Sequence, residues 1–166
     1  MFNYVSYWEN RGWSGGEPEW IDEIFPHIPR GAKTVLDVGC SDGRYAPLFS
    51  KMDYTGVDIN AGQIAIAKKK CPGCDFYVGD IIDWLDNFQY DLFFSSKFLQ
   101  HIPPEYIEEV SESLKFRCKN GIMIECVGDG KGLAEHNWHH DYRKLFNVVH
   151  EEVLEGPVRL MVHGKK

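Results

Sequence analysis

Three acids and two glycines stand where apolar runs stop. Val35-Leu36-Asp37-Val38 ends at Gly39, and Gly43 follows four residues later; Tyr54-Thr55-Gly56-Val57 ends at Asp58; Asp75-Phe76-Tyr77-Val78 leads into Gly79-Asp80-Ile81. Glycines after a strand let the chain turn tightly and let a ligand lie against bare backbone. The N–H groups that follow can face an anionic part of that ligand. An acid ending the second strand accepts hydrogen bonds from ribose hydroxyls in nucleotide-binding α/β folds, although Asp58 beside Asn60 also reads as a helix cap. The spacing Asp37-x-Gly39-x-x-x-Gly43 is neither the dinucleotide fingerprint G-x-G-x-x-G nor the triphosphate loop G-x-x-x-x-G-K-[ST].

Histidines form the second group. His136-Asn137-Trp138-His139-His140-Asp141 puts three imidazoles and an acid in six residues, and His101 follows an apolar run ending in Ser95-Ser96. A histidine titrating near ~6.5 suits proton removal from a hydroxyl at neutral pH. Metal chemistry has less support. His136 and His140 are four apart but lack the H-E-x-x-H pattern, and Cys71-Pro72-Gly73-Cys74 is a lone C-x-x-C. No metal is expected, and Cys71 and Cys74 read as ordinary thiols flanking a turn.

These residues need elements to hold them. Strands are expected at 34–38, 54–58, 74–78, 90–96 and 122–127, the last entered through an Asn120-Gly121 turn. Helices are expected at 17–25, 44–51, 60–70 (with Ile64, Ala65 and Ala67 towards the sheet) and 103–119 (with Ile107, Val110 and Leu114 inward). Gly128 to Gly132 reads as a mobile loop, residues 141–146 as a short helix, and 147–163 as a hairpin turning at Glu155-Gly156-Pro157. Alternating strands and helices imply a parallel sheet, to which the hairpin adds an antiparallel strand. The aromatic stretch before residue 16, with Tyr4, Tyr7, Trp8 and Trp13, must pack on something, either the sheet edge or the ligand.

The 166 residues fit one domain, 43% of them hydrophobic. Net charge is −7, which argues against non-specific binding to nucleic acid or anionic membrane. No apolar run approaches the ~20 residues of a membrane span, and no signal peptide is evident. Five scattered cysteines fit a reducing cytoplasm.

Asp37 to Gly43 resembles motif I of the class I S-adenosylmethionine (SAM)-dependent methyltransferases, D/E-x-G-x-G-x-G, with Ser41 in the middle glycine's place. The resemblance covers about residues 34–127, and Ser95 to Ile102 resembles the s-x-x-x-L-x-H-I segment of small-molecule members of the ubiquinone-biosynthesis type. It implies a Rossmann-like α/β fold: a seven-stranded, mostly parallel sheet, helices on both faces and an antiparallel last strand. It implies one domain over 1–166, with 1–30 an arm forming a lid and 31–166 the core. SAM is the implied donor and S-adenosylhomocysteine its product. Asp58 would take the ribose, with Ile59 on the adenine face; Asp80 and Ile81 would hold the adenine. Asp37 and the Gly39 and Cys40 backbone would face the methionine end, and Gly43 and Ser96 are further cofactor-binding candidates. Trp8 and Arg11 lie in a segment like those that close over SAM, where Arg11 could pair with the ligand carboxylate. His101, His136, His139 and His140 are the candidate catalytic residues. The expected reaction is O-methylation of a small or carrier-linked molecule. The absent [DNS]-P-P-[YFW] signature argues against nucleic-acid or protein N-methylation, and the absent G-x-G-x-x-G against a nicotinamide enzyme. A non-catalytic SAM-binding protein would use the same donor motifs.

Overall fold

In the computed structural model, residues 4–11, 16–84, 88–128 and 137–164 are described below. Seven strands form one sheet: β1 Thr34–Val38, β2 Asp53–Asp58, β3 Asp75–Val78, β4 Tyr90–Ser96, β5 Cys118–Cys126, β6 Val148–Glu155 and β7 Val158–His163. Their order is β3-β2-β1-β4-β5-β7-β6. Strands β1 to β5 pair in parallel, while β7 runs antiparallel to both β5 and β6. This is the expected Rossmann-like sheet with the last strand inserted antiparallel. The order reverses between β1 and β4, and the crevice at such a switch point is where open α/β sheets bind ligands.

The core lies on both faces because the central strands alternate two apolar sets. Val35, Leu92, Phe94, Ile122, Ile124 and Leu160 share one side with Ile24, Phe49, Ile64 and Phe76. Leu36, Val38, Phe93 and Met123 share the other with Ile107, Val110 and Leu114 of α5, Pro104–Arg117, and with Tyr142 of α6, Tyr142–Leu145. The remaining helices are α1 Tyr4–Glu9, α2 Ile21–Ile24, α3 Ala61–Lys70 and α4 Ile81–Trp84. Among the described residues, no helix is long and apolar enough to cross a membrane.

Several expectations are corrected. Residues 44–51 form only a 3-10 turn, Ala46–Phe49. Pro47 has no N–H to donate, and the chain must reach β2 at Asp53, so the crossover collapses onto buried Tyr45, Ala46 and Phe49. The helix expected over 17–25 shrinks to α2 because Trp20 takes a left-handed conformation at φ 55°. Asn120-Gly121 is no turn but lies inside β5. Asn120 Nδ2 donates to Asp91 O, and the Phe93 ring occupies the space a Gly121 Cβ would need. Ala65 faces outward, while Gln63 takes a buried place on α3. Cys71 and Cys74 are joined as a disulfide instead of standing as free thiols. Trp13 and most of the 128–132 loop lie outside the described residues.

Candidate functional site

A cavity of about 420 Å³ opens where β1 to β4 end. Asp37, Gly39 and Cys40 line it from β1, Asp58 and Ile59 from β2, Asp80 and Ile81 from beyond β3, and Ser96 from β4. Parallel strands bring these residues together because each strand enters the sheet with the same polarity and so ends on the same edge.

The glycine turn is held from β2. Gly39 N and Cys40 N both donate to Val57 O, at 2.9 and 3.1 Å. Gly39 sits at φ 69°, with the Phe98 ring where a Cβ would lie. Ser41 adopts φ 49°, the left-handed conformation a glycine would take freely. It is anchored there: Ser41 N donates to Asp58 Oδ2 at 2.9 Å and its hydroxyl reaches Gln63 Oε1 at 3.4 Å. Asp58 Oδ1 accepts from Asn60 N at 2.8 Å, so this acid fixes two turns while lining the cavity. Gly43, at φ 71°, does not line the cavity; it closes the turn against Phe76 and Ala67.

Asp37 is 2% exposed and accepts from the Tyr54 hydroxyl at 2.5 Å. Burial is the main cause that pushes its pKa up to about 7, with Asp58 adding to it and the Tyr54 bond opposing. Burial likewise raises Asp58, opposed by its two backbone donors. Asp80 Oδ1 accepts from Ile82 N at 3.1 Å in the first turn of α4.

The other wall follows β4. Lys97 is left-handed at φ 53°, and residues 99–101 form a 3-10 turn. Glu125 of β5 organises this loop, a role not assigned to it from sequence. It is fully buried and accepts from Ser95 Oγ (2.5 Å), Phe98 N (3.3 Å), Leu99 N (3.1 Å) and Gln100 N (3.3 Å). Burial raises its pKa to about 7 against all four bonds. Its sequence signal is a lone acid inside the apolar run Ile122-Met123-Ile124-Glu125-Cys126.

The N-terminal arm reaches the same cavity. Asn60 Oδ1 caps α3 by accepting from Gln63 N at 3.0 Å, and its Nδ2 donates to Trp8 O and Arg11 O, both at 3.0 Å. Trp8 and Arg11 line the cavity, and the Trp8 ring lies 4.3 Å from that of His101. Residues not singled out from sequence complete it. The Tyr45 hydroxyl lies 3.4 Å from Glu19 O and 3.3 Å from Ser96 Oγ. Lys97 pairs with Glu19 at 2.8 Å and sits 4.7 Å over the Trp20 ring. Asn137 arrives because Trp138 N donates to Gln100 O at 2.7 Å.

The structure separates the candidate histidines. His101 lines the cavity; His139 and His140 do not. They border a second pocket of about 340 Å³ with Tyr142, Arg143 and Met161. His140 is buried, donates through Nε2 to Ile102 O at 2.9 Å and meets Tyr142 edge-on; burial lowers its pKa. These are the contacts of a packing residue. His136 lies outside the described residues.

The residues present suit a nucleoside carrying positive charge. Of the five carboxylates that line the cavity, Asp37, Asp58 and Asp80 stand at strand ends, and Asp37 is almost wholly buried. Asn137, which also lines the cavity, has its Oδ1 buried with no hydrogen-bond partner among the described residues. A cationic ligand with hydroxyl and amino donors answers both features.

Comparisons with known proteins agree. Residues 35–121, just over half the chain, match the family described as a methyltransferase domain. A trans-aconitate 2-methyltransferase from Acidovorax sp. (strain JS42) is 32% identical over 72 residues, 41% of this chain and 28% of that protein. The chain thus spans under a third of that relative's length. Two solved structures share the fold. The PH0226 protein of Pyrococcus horikoshii OT3 superposes with a TM-score of 0.75 at 18% identity, covering 89% of each chain. Magnesium protoporphyrin IX methyltransferase of Synechocystis PCC 6803, solved with bound SAH, superposes with a TM-score of 0.70 at 16% identity, covering 90% of this chain and 89% of that one.

Proposed function

The chain belongs to the class I SAM-dependent methyltransferase family, and we propose that it uses SAM to methylate an oxygen of a small or carrier-linked acceptor at the cavity where β1 to β4 end. The observation that carries this reading is that Asp37, Asp58, Asp80 and Ser96, from four successive strand ends, line one cavity. In it Asp58 accepts from the ribose hydroxyls, and Asp80 with the Ile81 backbone holds the adenine beside Ile59. Asp37, with the Gly39 and Cys40 backbone, faces the methionine end. SAM supplies a methyl group on a positively charged sulfur; the protein supplies position and electrostatics. Ionised Asp37 favours that charge in a site of low dielectric.

On the acceptor side, His101 is the proton acceptor for a hydroxyl substrate. Trp8 packs on its ring and limits its orientation. The arm acts as a lid, fastened through Asn60.

The reading is tested by calorimetry with SAM and S-adenosylhomocysteine, then by transfer of labelled methyl to a panel of small hydroxyl and carboxyl compounds. Binding of both ligands with labelled product is the expected outcome. Absence of SAM binding removes the proposal, and binding without product from any acceptor favours a non-catalytic SAM-binding protein. A carboxylate acceptor is a second reading, since Arg11, Arg44 and Lys97 also line the cavity. It needs no proton removed, so His101→Gln would then leave kcat unchanged, whereas a hydroxyl acceptor would show a loss of about 100-fold or more.

A further inference from the structure

We propose that His27, His150 and Glu152 form a binding site for a divalent transition metal of the zinc class at the outer edge of the sheet. None of the three lines the cavity. His27 ends the 3-10 turn Phe25–His27 that follows α2, while His150 and Glu152 stand two apart on β6. Residues i and i+2 of a strand share a face. The alternation holds here because the irregularities of β6 fall to either side: His150 pairs with Val162 and Glu152 with Leu160 in unbroken register. The turn is carried over this face by Ile24, which is fully buried in the same core cluster as Leu160.

The distances favour a shared ion over mutual bonding. Glu152 Oε1 lies 3.7 Å from His27 Nε2 and 3.9 Å from His150 Nε2. The two imidazole rings lie 4.4 Å apart, and the ligand atoms of all three residues fall within 4.8 Å of one another. Contacts of 3.7–3.9 Å are too long for hydrogen bonds. A tetrahedral ion with bonds of about 2.0–2.1 Å sets its ligand atoms about 3.3 Å apart. Side-chain movements of about half an ångström to one ångström therefore close the set.

The donor chemistry selects the ion. Two imidazoles and one carboxylate suit zinc and its neighbours, with a fourth position left for water. Calcium and magnesium prefer oxygen throughout. Without metal the cluster is a carboxylate between two half-exposed histidines, an arrangement of little energetic consequence. With metal it becomes a cross-link between edge strand β6 and the segment following Glu17 and Glu19, which line the cavity.

The test is equilibrium dialysis of the tag-free full chain against zinc at about pH 7.5, with bound metal counted by mass spectrometry. Thiol titration first confirms that Cys71 and Cys74 are oxidised, and a Cys71→Ser/Cys74→Ser variant is run in parallel. The expected result is one zinc per chain in both proteins, with affinity reduced at least about tenfold in His150→Ala and in Glu152→Gln. These residues are at the surface, and circular dichroism establishes that the variants keep the fold. Zinc at 100-fold over its Kd should raise Tm by about 5–10 °C in the parent and not in His150→Ala. No retained zinc, binding unchanged in His150→Ala and Glu152→Gln, loss of binding in the cysteine variant, or equal affinity for magnesium would each overturn the assignment.

Discussion

The two walls of the cavity are built differently. The wall at the ends of β1, β2 and β3 is assembled from neighbours. Asp58 holds Ser41 and Asn60, Val57 O holds Gly39 and Cys40, and every partner lies on an adjacent strand or the turn after it. The wall beyond β4 is assembled from distant pieces. Glu125 anchors residues 98–100, Asn60 ties down the arm, Trp138 hangs from Gln100, and Lys97 reaches back to Glu19. The first wall follows from sheet topology alone, while the second exists only while specific long-range bonds persist. The proposed division of labour matches this difference: a common donor at the local wall, and a variable acceptor at the assembled one.

The largest break in that contrast should come from Glu125→Ala. It leaves three backbone N–H groups and the Ser95 hydroxyl without their buried acceptor. A loss of about 3–5 kcal/mol is expected, seen as a fall in Tm of about 10 °C or more by thermal denaturation. Glu125→Gln, which keeps the shape and one acceptor oxygen, should lose less. A small effect from Glu125→Ala would show that the far wall does not depend on its anchor.

Asp58→Ala is the matching break on the near wall. It should weaken SAM binding by about 100-fold in calorimetry, because it removes charged acceptors from both ligand and turn. The effect on donor binding should exceed that of any single change beyond β4.

The two buried acids sharpen the comparison through pH. Asp37 and Glu125 are both raised to about 7, so between about pH 4 and pH 7 the folded chain binds protons that the unfolded chain has released. Their contribution is therefore most favourable at the acid end and is lost as pH rises towards 7, with no further change above. This slope is measured by denaturant unfolding across that range. The proposed donor contact distinguishes the pair. A cationic ligand should draw Asp37 into its ionised form, so SAM affinity should rise by up to about tenfold from pH 6 to pH 8 with proton release on binding. Calorimetry in two buffers of different ionisation enthalpy checks this, and Asp37→Asn should abolish the release.

The smallest effect is expected at the joint between the walls. Asn60→Ala removes the α3 cap and the two bonds to the arm. A cost of about 1–2 kcal/mol should appear as a Tm loss of a few degrees, with a several-fold rise in the KM for SAM if the arm acts as a lid.

Sequence reading reached the near wall because its signals are local. An acid or glycine at the end of an apolar run is visible without knowing what packs above it, and Asp37, Gly39, Asp58 and Asp80 were all legible in this way. It failed where identity was a poor guide to neighbours. Tyr45 was assigned to a helix that is only a 3-10 turn, so its place between Glu19 and Ser96 was hidden. His139 and His140 looked chemical because they are histidines close in sequence, yet the chain beyond Trp138 turns them towards a separate pocket.

By itself, the sequence determined the alternation of strands and crossovers, the terminal hairpin and the acids at the strand ends, while the insertion of the last strand between its neighbours came with the family resemblance. Periodicity and turn chemistry act over a few residues and need no partner. Only the tertiary structure decided that Glu125 organises a loop about 25 residues before it, that Asn60 serves α3 and the arm together, and that His27 meets His150 across more than 100 residues of chain. Such contacts depend on how the sheet face brings distant segments within a few ångströms, and a buried polar group takes whatever partner that packing provides.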